Sequence, residues 1–138
     1  MTYYAVIDTN VLVSALLSKH NDSATVQVIE RMIIGEIIPI YSAEIMTEYH
    51  EVLSRKKFKF PQEMINYLLS AVEKFGIMVE PTASNVILPD MKDLPFYEVV
   101  LEKKNDGAYL VTDNLKHFPA KPFIVTARQT LDILDSRQ

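Results

Sequence analysis

The chain has 138 residues, 49% hydrophobic and 23% charged, which suits one folded domain with a substantial core and is too apolar for a disordered chain. It contains no cysteine, so disulfides, thiolate nucleophiles and Cys-ligated zinc or iron-sulfur sites are excluded, and any metal must be held by oxygen or imidazole. The formal charge of -4 is not that of a globally basic nucleic-acid binder, yet the average conceals a basic cluster of Arg55, Lys56, Lys57 and Lys59.

Taken in chain order, YYAVID at residues 3–8 reads as a buried first strand, and VLVSALL begins a helix after a polar turn. Ser23 caps a second helix over residues 24–34, where Val26, Ile29, Met32 and Ile33 recur at helical spacing and Gly35 closes the element. IIPIYS at 37–42 is a second strand, shortened by Pro39 or started by it. A helix from Ser42 to Ser54 carries Ile45, Tyr49, Val52 and Leu53 on one face. Another follows Pro61, with Met64, Leu68, Val72 and Phe75, and ends at Gly76. IMVE at 77–80 is a third strand, and a loop over 81–93 leads into a helix that runs through Lys104. AYLVT at 108–112 and PFIVT at 122–126 are the fourth and fifth strands, before a last amphipathic helix with Ala127, Leu131 and Leu134.

Strands separated by helices imply a three-layer α/β/α domain around a mainly parallel five-stranded sheet. Residues 1–138 read as one domain, without internal repeats or linkers. No apolar run approaches the roughly 20 residues of a membrane span, and Asp8 and Asn10 interrupt the one candidate leader segment, so a cytoplasmic location is expected. With glycines at 35, 76 and 107 only, neither a dinucleotide fingerprint nor a P-loop can be assembled.

In an open parallel sheet, ligands bind beyond the carboxyl ends of the strands, where the strand order reverses. Asp8 lies at such an end, although a helix cap is an equal reading for it, as it is for Thr9 and Asn10. Of the three glutamates on the third helix, Glu48 falls roughly 40° beyond Val52 at the edge of the apolar arc, while Glu44 and Glu51 lie farther out. Asp93 precedes LPFYEVV, where an acid also suits a helix N-terminus, and Asp90 is a loop acid. Asp113 and Asn114 follow the fourth strand and belong to the same edge.

Clustered carboxylates repel one another unless a cation sits among them. Mg²⁺ or Mn²⁺ supplies that charge, prefers oxygen ligands, and binds carboxylates together with a substrate phosphate. Such an ion lowers the pKa of water and stabilises the charge of an in-line displacement at phosphorus, which makes phosphodiester hydrolysis the best-suited reaction.

The segments YAVIDTNVLVSAL, SAEIMTEYHEVL, PDMKDLPFYEVVLEKK and AYLVTDNLKHFP, in this order and over essentially the whole chain, resemble a PIN domain of the bacterial toxin-antitoxin group. The resemblance implies an α/β/α ribonuclease dependent on Mg²⁺ or Mn²⁺, with Asp8, Glu48 and Asp93 as the main acids and Thr9, Asn10 and Thr112 as polar support. It also implies an RNA substrate, an antitoxin partner and a homodimer. The fourth motif departs from the pattern. Family members commonly carry TGD or TxD there, whereas Thr112-Asp113-Asn114 puts an amide in the acid's place, so either Asn114 serves or Asp113 turns inward as a ligand.

Arg55, Lys56, Lys57 and Lys59 are candidates for RNA phosphate contacts, against a solvated charge run. Phe58 and Phe60 between them read as hydrophobic anchors, with base stacking as the alternative. His117 is expected to make a structural hydrogen bond near the fourth strand end, with a substrate contact as the other reading. His20 and His50 have no zinc-binding spacing, and the Tyr3 and Tyr4 pair reads as strand packing. Two further readings stay open: a catalytically weak or inactive PIN-like module that binds RNA or protein, and phosphotransfer through an aspartyl nucleophile.

Overall fold

The structure, a computed structural model, describes residues 2–137. Its elements are strand β1 (Tyr3–Ile7), helices α1 (Thr9–Leu17) and α2 (Ala24–Ile33), strand β2 (Ile37–Tyr41), helices α3 (Ala43–Leu53) and α4 (Gln62–Phe75) and strand β3 (Ile77–Met78). Helix α5 (Leu94–Lys103), strands β4 (Tyr109–Val111) and β5 (Ile124–Val125) and helix α6 (Ala127–Ser136) complete it. Single 3-10 turns lie at Met91–Asp93, Lys104–Asp106 and Leu115–His117.

The five strands pair in parallel in the order β3-β2-β1-β4-β5. Parallel strands need helical crossovers, and the six helices clothe the sheet as an α/β/α sandwich. Helix α5 packs across β1, β2 and β4, while α2 packs on α1 and α6, and α3 on α4 and α5. Covered on both faces, β1 buries Tyr3, Ala5, Val6 and Ile7, which is why its sequence is a continuous apolar run rather than an alternation.

The polar side chains at the boundaries set where helices begin. Ser23 accepts a hydrogen bond from the Val26 amide and Ser42 from the Ile45 amide, and Thr126 forms a reciprocal capping box with Gln129. Ser42 therefore stands before its helix rather than within it. Thr9 and Asn10 already belong to α1, so no polar turn separates Asp8 from that helix.

The strands are shorter than the apolar sequence implies. Met78 ends β3 instead of residue 80, although the Val79 amide still donates to the Tyr41 carbonyl. β3 is an edge strand with Ile77 and Met78 41% and 55% exposed, so its apolar character does not reflect burial. β5 likewise contains Ile124 and Val125 alone.

Pro39 sits in the middle of β2, not at its start. Because Tyr41 directs its carbonyl toward β3, Pro39 two residues earlier faces the same side, and pairing there starts only at Ile40 with Ile77. No ladder partner requires the amide hydrogen that proline lacks. The chain turns from α4 into β3 through Gly76, where a Cβ would lie 2.7 Å from the Pro39 carbonyl oxygen and closer still to that of Val72.

Candidate active site

The strand order reverses between β1 and β4, which continue to opposite sides of the sheet. Ile7 pairs with Val111 at the carboxyl ends of these strands, so the next residues, Asp8 and Thr112, emerge side by side. The Asp8 amide donates to the Val111 carbonyl at 2.9 Å, and the Thr112 hydroxyl donates to Asp8 Oδ2 at 2.8 Å. Asp8 stands at the N-cap position of α1 but makes no side-chain cap bond. Its carboxylate is turned to Thr112 instead, which separates it from an ordinary helix cap.

Asp8 is 5% exposed. Burial pushes its pKa up to about 6, the bond from Thr112 opposes the rise, and the charges of Asp93 and Glu48 add to it. Glu48 is half-buried on α3, whereas Glu44 and Glu51 are exposed. Burial also raises its pKa; the hydrogen bond it accepts from the Thr9 hydroxyl opposes the rise, and Asp93 adds to it. Asp93 stands at the N-cap of α5, again without a side-chain cap bond, and its Oδ2 lies 3.1 Å from His117 Nδ1. Burial raises its pKa and the hydrogen bond from His117 counters that. Three carboxylates from three elements thus share one field, each raised by burial and each held by a separate hydroxyl or imidazole.

Tyr49 closes the floor of this site. It is buried, its hydroxyl donates to the Ile7 carbonyl, and burial together with the charges of Asp8 and Glu48 holds its pKa well above the usual phenol range. Two residues after Asp8, Asn10 Oδ1 is buried and accepts no hydrogen bond. The family model of the PIN domain matches residues 4–116.

The chain belongs to the PIN domain family. PIN domains are generally nucleases and typically use divalent metal ions. Among solved structures, the crystal structure of PAE2754 from Pyrobaculum aerophilum is similar over 98% of this chain and 90% of its own, at 15% identity and a TM-score of 0.55, a likeness of fold. No curated protein matches the chain by sequence.

The remaining residues of this PIN domain divide between the site and the surface. Thr9 and Thr112 are buried beside the acids they hydrogen-bond. Asn114 is half-buried and contributes its backbone amide, which donates to the Thr112 hydroxyl oxygen at 3.0 Å. Asp113 is exposed, and the carboxylates that act on Asp8 are those of Asp93 and Glu48. Asp90 caps the 3-10 turn before α5 through the Lys92 amide. Arg55, Lys56, Lys57 and Lys59 are exposed just beyond α3, where Arg55 approaches Glu51 at 3.9 Å and Lys59 adopts a left-handed φ of 56°. Phe58 and Phe60 stack with centroids 5.2 Å apart, and the Lys57 ammonium lies over the Phe58 ring.

Among the described residues no group of three or more His, Asp or Glu side chains stands ready to hold a metal ion. The donor set nevertheless fits a hard cation. It is all oxygen, Asp93 and Glu48 raise the pKa of Asp8 and Asp93 that of Glu48, and Asn10, two residues on from Asp8, has a buried oxygen without a partner. Mg²⁺ keeps several waters and needs only one or two direct carboxylates, so the three acids need not converge on one point.

The structural hydrogen bond expected of His117 is made, with Asp93 as its partner, and Tyr49 is what local sequence reading leaves outside the site. Tyr49 directly follows Glu48 on the helix, a signal of its nearness. For His117, its place just after the fourth strand is the signal, and its partner is what the sequence leaves open.

Proposed function

We propose that this PIN domain is a Mg²⁺- or Mn²⁺-dependent endoribonuclease and the toxin of a type II toxin-antitoxin pair, acting in the cytoplasm as a homodimer. The observation that carries the hydrolase reading is the set of Asp8, Glu48 and Asp93 at the β1/β4 switch point, each with a pKa raised by burial, the charges of Asp93 and Glu48 acting on Asp8 and that of Asp93 on Glu48. The toxin role, with its antitoxin partner and dimer, rests on the resemblance of the four motifs alone. Among the described residues no helix is long and apolar enough to cross a membrane.

Asp8, Glu48 and Asp93 would hold the ion, with Asn10 Oδ1 as a further oxygen. When bound, it supplies Lewis-acid polarisation of the phosphate and a lowered pKa for the attacking water. The chain's own groups do the rest. Exposed Arg55, Lys56, Lys57 and Lys59 draw in the RNA backbone, and the stacked Phe58 and Phe60 offer faces for unstacked bases. The proton released as water attacks phosphorus passes to solvent. As the new P–O bond forms, the bond to the leaving sugar oxygen breaks and that oxygen takes a proton from solvent. Single-stranded RNA should be cut with Mg²⁺ or Mn²⁺, and Asp8→Asn should abolish cutting while remaining folded. Cleavage that survives EDTA, or that Asp8→Asn leaves intact, contradicts the proposal.

A second reading, a module that binds RNA or protein with little catalysis, is favoured by the amide at Asn114 together with the exposed side chain of Asp113. Calorimetry separates the two, since a binding module should show no heat of Mn²⁺ binding at millimolar ion.

A further inference from the structure

Two of the three acids are joined by one short segment. At its start, the Thr112 hydroxyl donates to Asp8 Oδ2 at 2.8 Å while its oxygen accepts the Asn114 amide at 3.0 Å, which fixes the direction of both bonds. The Leu115–His117 turn follows, closed by the His117 amide on the Asn114 carbonyl at 2.9 Å and the Phe118 amide on the Leu115 carbonyl at 3.1 Å. Phe118 is buried and packs on Tyr97 of α5, with ring centroids 6.3 Å apart. This anchors the far end of the turn to the helix whose first turn follows Asp93. There, His117 Nδ1 meets Asp93 Oδ2 at 3.1 Å.

An ionised carboxylate only accepts hydrogen bonds, so Nδ1 carries the hydrogen whether the ring is neutral or charged. Asp93 has no cap bond to orient it, leaving the imidazole as the group that does so. We propose that His117 is a positioning residue for Asp93, and that Thr112–His117 is a strap that sets how Asp8 and Asp93 together face a divalent cation. One oxygen of each carboxylate is taken by the strap, which fixes how each acid is turned. The strap gives position 114 a backbone duty that an amide residue meets as well as an acid does. It is the arrangement by which metal ligands are held in orientation by hydrogen-bonded partners.

The inference rests on the reading of Asp93 as a cation ligand. Its test is Mn²⁺ calorimetry on the full chain, comparing wild type with His117→Ala, His117→Asn and His117→Gln. The Asn side-chain amide nitrogen occupies the place of Nδ1, whereas that of Gln lies one bond farther out. His117→Ala is expected to weaken Mn²⁺ binding by about tenfold. His117→Asn should recover most of that loss, and His117→Gln should not. If His117→Ala does not fold, the Asn and Gln variants decide between themselves. Equal affinity in wild type and His117→Ala, or no advantage of Asn over Gln, overturns the role of His117 and leaves the site's function standing. Failure of wild type to bind Mn²⁺ overturns both.

Discussion

Replacing Asp8 by Asn should stabilise the metal-free protein. Burial holds the Asp8 carboxyl at about 6, above its ordinary 3.8, so at about pH 7.5 the folded state carries a charge that the unfolded state accommodates more readily. The difference corresponds to about 3 kcal/mol, undiminished by solvent screening because Asp8 is 5% exposed. Between these two pKa values the folded state binds more protons than the unfolded one. The penalty is therefore absent below about pH 4, grows as pH rises, and is complete above about pH 7. Asn keeps an oxygen for the Thr112 hydroxyl, and the charge-assisted part of that bond is already contained in the value of about 6, so it is not subtracted again. The gain is about 3 kcal/mol, or an upward shift in Tm of roughly 10 °C for a chain of this length. Thermal melts in EDTA from about pH 4.5 to 7.5 should show the wild type losing this increment relative to Asp8→Asn as pH rises. With saturating Mn²⁺ the order should reverse, since only the wild type gains from binding. A variant that melts below the wild type in EDTA at the upper pH would falsify the claim that Asp8 is a strained, unneutralised charge.

Tyr49→Phe removes the buried donor to the Ile7 carbonyl and should cost about 1–2 kcal/mol, read as a lower urea midpoint with unchanged m-value. Gly76→Ala puts a Cβ against the backbone carbonyls of Val72 and Pro39, neither of which can swing away, so a loss of about 3 kcal/mol or more, or failure to fold, is expected by circular dichroism. Neutralising Arg55, Lys56, Lys57 and Lys59 to Gln should weaken RNA binding and flatten the logarithmic dependence of affinity on salt by about 0.7 for each phosphate that is no longer neutralised. The rate at saturating RNA should stay the same, and an unchanged salt slope would remove this patch from the interface.

Much of the fold and of the site is legible in the sequence. Uninterrupted apolar runs mark β1, β2 and β4 because parallel strands are covered on both faces, and the acid at the end of β1 stands out by contrast. Helical geometry separates Glu48 from Glu44 and Glu51, since orientation on a helix depends only on spacing. Strand length is harder to read. Ile77 and Met78 are apolar and yet line an exposed edge, so the sequence around β3 resembles that of a buried strand. Pro39 is misplaced by sequence reading because whether a missing amide matters depends on which neighbour it faces, a property of register. The bond between Asp93 and His117 spans 24 residues, and no local pattern encodes it. Asp113 and Asn114 differ in exposure although adjacent, because the turn after β4 presents one backbone amide to Thr112 and sends the preceding side chain to solvent.

The most direct measurement of the central claim is the anomalous signal from a crystal of this PIN domain soaked in Mn²⁺. The ion should appear at the β1/β4 switch point, bound by Asp8 and Asp93, with Glu48 reaching it directly or through water and Asp113 remaining in solvent. No peak at that edge, or an ion held by Asp113 without Asp8, would contradict the account.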